Sequence, residues 1–82
     1  MSEEILELEE KVLDRIREDM FKATSIDSIN KLYRQGRVWN RWHSIGLGRP
    51  FKEDPQYVEI NNFLKKYRDE AKALVRLNGG ID

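Results

Sequence analysis

One short stretch breaks helix formation outright in this 82-residue chain, and it sets where the last helix can begin. Ile45-Gly46-Leu47-Gly48-Arg49-Pro50 carries two glycines and a proline, so no helix passes through it. The connection extends through Phe51-Lys52-Glu53-Asp54. Asp54-Pro55 then opens a last helix, with Asp54 as N-cap and Pro55 at the first helical position. Before the break, Ile5, Leu8, Val12, Ile16 and Met20 recur at three- and four-residue spacing, with Leu6 and Leu13 widening the stripe. That period is helical, and no segment alternates as a strand would.

Helices are expected at about residues 3–22, 26–35, 37–45 and 55–77, with a loop over 46–54 and a frayed tail over 78–82. Ser2 suits the first N-cap, and Glu3 and Glu4 suit the positive end of the helix dipole. Thr24 and Asp27 form a capping pattern for the second helix, with Ser25 as the alternative cap. Ile29, Leu32 and Tyr33 mark its buried side. Gly36 is either its C-terminal cap or a soft point within it. Val58, Phe63, Tyr67, Ala71, Leu74 and Leu77 mark the inner face of the last helix. The fold class is all-α: one small domain of three to four helices, the long first and last packed with a shorter middle one.

A chain of this length buries only roughly 60% of its unfolded surface, which leaves room for a partner to add stability. The absence of cysteine excludes disulfides, thiolate zinc sites and a cysteine nucleophile together. No apolar run approaches the roughly 20 residues that span a bilayer, and the acidic start is unlike a signal peptide. The expectation is a cytoplasmic protein, in host cytoplasm if the source is a phage, with no membrane partner.

The formal net charge is zero, yet the charges are segregated. Over residues 1–19 eight carboxylates face Lys11, Arg15 and Arg17, a balance of −5. Over residues 20–52, Lys22, Lys31, Arg34, Arg37, Arg41, Arg49 and Lys52 face Asp27 alone, a balance of +6. Trp39, Trp42 and His43 sit inside that basic stretch. Arginines contact phosphates in bidentate fashion, and indole faces stack on unpaired bases, so Arg34, Arg37, Trp39, Arg41, Trp42, Arg49 and Lys52 are the candidate nucleic-acid or partner-binding residues. Two other readings stand beside this one. The tryptophans can be core anchors, and the arginines can neutralise the acidic first helix within one molecule.

The remaining motifs point to no chemistry. His43 is the sole histidine and lacks a second ligand at metal spacing or a positioned partner for base catalysis. Gly46-x-Gly48-Arg49 lacks the strand and the ending of a phosphate-binding loop and reads as a connection between helices. Glu9-Glu10, Glu53-Asp54 and Asp69-Glu70 read as surface charge, and Lys65-Lys66-Tyr67-Arg68 as a second basic, solvated cluster. No enzyme, cofactor, metal or small-molecule substrate is expected.

Ser25-Ile26-Asp27-Ser28-Ile29-Asn30-Lys31-Leu32 resembles the Thr-Ile-Asp-Thr-Leu motif of the Hha/YmoA family of small helical nucleoid-associated proteins, which act through the silencer H-NS. Glu59-Ile60-Asn61-Asn62-Phe63-Leu64 resembles that family's Glu-Leu-x-x-Phe-Tyr segment. Where the family carries Ala-Asp-His-Arg, this chain reads Lys66-Tyr67-Arg68-Asp69, so partner contacts of that segment are not carried over. In size, acidic start and the run Arg37-Val38-Trp39-Asn40-Arg41-Trp42, the chain is also similar to the small proteins encoded beside the UvsW helicase in T4-type phages. These resemblances imply a helical fold and a non-enzymatic accessory role in phage recombination, replication and repair. The partners they imply are a DNA-processing protein such as a helicase, and single-stranded DNA. A transcription co-modulator acting only through a protein, and a structural helical homodimer, are the alternatives.

Overall fold

The computed structural model describes residues 3–49 and 52–79, with side chains from residue 7 onward. Ser2, the side chains of Ile5 and Leu6, Pro50, Phe51 and the tail from residue 80 lie outside the described residues. Three helices follow in order: α1 (Glu3–Lys22), α2 (Ile26–Gly46) and α3 (Pro55–Leu77). Each packs on the other two, and the α2–α3 interface is the most extensive. The bundle is elongated, 43 × 21 × 15 Å. No helix among the described residues is long and apolar enough to cross a membrane.

The ends are set locally. Ser25, rather than Thr24, caps α2: its backbone is extended and its hydroxyl accepts from the Ser28 N–H at 3.2 Å. Asp54 caps α3 as its sequence position predicts, accepting from the Tyr57 N–H at 3.3 Å with Pro55 following.

The expected division at Gly36 is absent. α2 runs unbroken from Ile26 to Gly46, with Gly36 inside it rather than at its end. Gly36 is buried where α2 crosses both neighbours, and a Cβ placed there would stand 2.8 Å from Leu64 Cδ2 and 3.3 Å from Ile16 Cδ1. The glycine permits close approach of three helices, which outweighs its modest helix-weakening effect of about 1 kcal/mol.

Two apolar clusters fill most of the interior. Met20, Ile26, Ile29, Ala71 and Val75 close the end near the α1–α2 turn. Leu13, Ile60 and Leu64 form the middle, with Ile16, Tyr33, Trp39 and Tyr67 around them. Tyr33 lies at the α2–α3 seam, with the Arg68 guanidinium 4.4 Å and the Arg37 guanidinium 5.7 Å from its ring centre. The α3 stripe is therefore Ile60, Leu64, Ala71 and Val75. Tyr67 and Ala71 pack inward as expected, whereas Val58, Phe63, Leu74 and Leu77 are exposed, the inward positions beside them being Ile60, Leu64 and Val75. In α1 the buried line is Glu9, Leu13 and Met20, and the expected core residue Leu8 is half exposed.

Candidate functional site

Beyond the middle cluster the interior turns polar. Glu9, Asn40 and Ser44 are buried there, at the end where α2 hands over to α3. The chain closes α2 with a left-handed glycine, Gly48 at φ 73°, whose N–H bonds to the Ile45 carbonyl at 3.0 Å. The Arg49 N–H then returns to the Ser44 carbonyl at 3.1 Å. This paired closure reverses the chain and turns Arg49 back into the bundle.

Arg49 Nη2 meets Glu9 Oε1 at 2.6 Å, and its Nε lies 3.4 Å from Asp54 Oδ2. Gln56 Nε2 donates to the other Glu9 oxygen at 2.7 Å, and His43 Nε2 lies 3.1 Å from Oε1. The His43 ring stacks on Trp39 with centroids 4.8 Å apart. Nearby, Asn40 Nδ2 donates to the Tyr57 carbonyl and to Asn61 Oδ1, tying α2 to the first turns of α3. Burial pushes the Glu9 carboxyl up, but hydrogen bonds from Gln56, Arg49 and His43, with the Arg49 charge, outweigh it and hold the group below its ordinary value. Glu9 is 1% and Arg49 8% exposed, so this pair is an internal link between the acidic and basic segments.

Arg49 accordingly leaves the outward-facing set: its guanidinium is committed to Glu9 and Asp54. Glu9 is not surface charge, and His43 does have a partner. One signal for Glu9 was present in the sequence. It shares a helical face with Leu13, Ile16 and Met20, four, seven and eleven residues on. Gly48→Ala should destabilise the fold by about 1–2 kcal/mol in chemical denaturation, from backbone strain alone, because the space around it is open. Gly46→Ala, also in open space but helical, should be neutral or slightly stabilising.

The other basic candidates come together on the outside. Arg34, Arg37, Arg41 and Lys52 are all exposed and line one groove of about 430 Å³ with Val38 and Tyr57. On the other flank of Val38, a second shallow depression runs past Lys31, Arg34, Gln35 and Trp39. The tryptophans divide. Trp39 packs against the middle cluster and His43, whereas Trp42 is 65% exposed. Val38 and Ile45 are exposed beside it, so an apolar ridge runs along the outer face of α2 next to the cationic groove. Val38, Ile45 and Tyr57 were not among the sequence candidates. Arg34, Val38, Arg41 and Ile45 share one face at helical spacing, but Tyr57 reaches the groove only through the packing of α3 on α2.

No groups of three or more potential ligand residues are placed to hold a metal among the described residues. The chain matches no family model, no curated protein and no solved structure.

Proposed function

We propose that this protein is a non-enzymatic accessory factor in nucleic-acid metabolism, of the kind that serves phage recombination, replication and repair. In this reading it docks on a DNA-processing protein such as a helicase and touches single-stranded DNA weakly through the outer face of α2. The observation that supports it is the convergence of Arg34, Arg37, Arg41 and Lys52 on one groove beside the exposed Trp42. Cations neutralise phosphates there, and an exposed indole offers a stacking surface that accepts any base. Arg34 to Arg41 spans about 10 Å of helix, enough for a short contact and hence for low affinity.

Anisotropy of a labelled single-stranded oligonucleotide over a salt series tests this. Contact with three or four phosphates predicts a log–log salt slope of about −2 to −3. Arg37→Ala/Arg41→Ala should weaken binding and flatten the slope by about 1.4, two phosphates' worth. Binding that ignores salt, or that the double variant leaves unchanged, refutes the phosphate contact.

The ridge of Val38, Trp42 and Ile45 favours a second reading, a co-modulator of the Hha kind that acts only through a protein partner. Exposed aromatic and aliphatic side chains between arginines are the composition of protein interfaces. Under that reading the isolated protein has no affinity for DNA even at low salt, and Trp42→Ala abolishes capture of the partner.

A further inference from the structure

A second groove lies on the opposite side of the bundle, along the α1–α3 seam. It encloses about 390 Å³, with Leu13, Ile60, Phe63 and Tyr67 as its apolar wall and Glu10, Asp14 and Glu59 exposed on its rim. Glu9 also lines it, but that carboxylate is turned to Arg49 and Gln56. No Lys or Arg lines the groove among the described residues: Arg49 is bound to Glu9 behind it, and Arg17 sits over the Tyr67 ring at 5.8 Å. The groove is thus the electrostatic complement of the outer face of α2. One surface is a ridge of Val38, Trp42 and Ile45 with Arg34 and Arg41 beside it on the same helix. The other is a trough with an apolar floor between carboxylates.

We propose that these two surfaces recognise each other between copies of this chain: the α2 ridge of one molecule seats in the α1–α3 groove of the next. Three features favour a second copy as the occupant. The complementary surface is present on the chain itself, with the signs reversed. The net formal charge is zero, so copies carry no overall repulsion near neutral pH. Both surfaces also occupy the same half of the bundle, the half that holds Glu9 and Arg49, so copies meet side by side across the short dimension. Because α2 lies behind the α1–α3 seam, each molecule keeps one free ridge and one free groove after pairing. Such a contact is head-to-tail and extends into short filaments or rings rather than stopping at a two-fold dimer. It also occupies the face that nucleic acid would use, but it stands on the groove and its charges and does not depend on DNA binding.

Sedimentation velocity over a concentration series tests the proposal. Wild type should grow in mass with concentration in about 50 mM salt, and the association should weaken at least ~10-fold in about 500 mM salt, where exposed charges are screened. A groove variant, Glu10→Lys/Asp14→Lys/Glu59→Lys, and a ridge variant, Arg34→Glu/Arg41→Glu, should each be monomeric. Mixed in equal amounts they should associate again, since each supplies the surface the other lacks and the reversed ridge and reversed groove are also opposite in charge. The neutral set Glu10→Gln/Asp14→Asn/Glu59→Gln, with helicity checked by circular dichroism, should also be monomeric alone, and with the ridge variant it should stop at a 1:1 heterodimer, since only one intact ridge and one intact groove then remain. Monomeric wild type at every concentration and salt overturns the proposal. So does association that survives in either variant alone, or a groove that takes a basic peptide but not the ridge variant's intact partner.

Discussion

Glu9→Ala should destabilise this protein by about 3–5 kcal/mol, because it leaves the Arg49 guanidinium in the bundle without its closest carboxylate. A domain of this size has only about 5–15 kcal/mol to lose, so the variant should melt broadly or be largely unfolded at 37 °C. Glu9→Gln, which keeps the shape and some hydrogen bonding, should cost less, about 1–3 kcal/mol. Replacing both partners, as Glu9→Leu/Arg49→Met, should recover much of the loss, since the cost lies in the orphaned charge rather than in the absence of a bond. Thermal and urea denaturation of wild type, Glu9→Leu, Arg49→Met and the double variant forms the cycle. Additive costs would mean that the two residues act separately.

The same pair sets a pH dependence. The Glu9 carboxyl titrates lower in the folded protein than in the unfolded chain. Its contribution is therefore full above the unfolded value and is lost as pH falls through the lowered folded value. Wild-type stability should decline through this acid window, from about pH 5 downward, and Glu9→Gln should decline less steeply over the same range. Parallel curves for the two proteins would show that the carboxylate charge at position 9 contributes nothing.

The second large effect is expected at the helix crossing. Gly36→Val should cost about 2–3 kcal/mol, because even its Cβ would fall 2.8 Å from Leu64 Cδ2 in a fully buried contact. Leu64→Ala alone should cost about 2–5 kcal/mol from the cavity it opens. Together the two changes should cost at least ~1 kcal/mol less than their sum, since the valine enters the space that Leu64 vacates. Strict additivity would show that the approach of α2 to α3 at Gly36 is not what demands a glycine. The expected outcome also explains why this glycine sits within a continuous helix.

These sites mark how far local pattern carries. The bounds of α1 and α3, the Asp54 cap and the glycine-rich connection all follow from residues within one or two turns of one another. The burial of Glu9 does not, since its partner Arg49 lies 40 residues away and is delivered by a left-handed turn at Gly48. Gly46-x-Gly48 announces a break in the helix, but not that the residue after it folds inward. Likewise, periodicity places the α3 stripe only to within about one residue, or 100° of rotation. That margin separates Phe63, partly exposed, from Leu64, fully buried. Trp39 and Trp42 are three residues apart on one helix, and only the position of α1 and α3 decides that one packs inward and the other faces solvent.

By itself the sequence determined an all-helical chain, where its first and last helices begin and end, and a segregation of acidic from basic residues along its length. Those properties depend on caps, breakers and composition, which act over a few residues. Tertiary structure alone decided that Gly36 is a crossing point, that Arg49 is an internal ion-pair partner, and that Arg34, Arg37, Arg41 and Lys52 share one groove with Tyr57. Each of these depends on which faces meet when helices pack, and that choice is made by close contacts between side chains far apart in the chain.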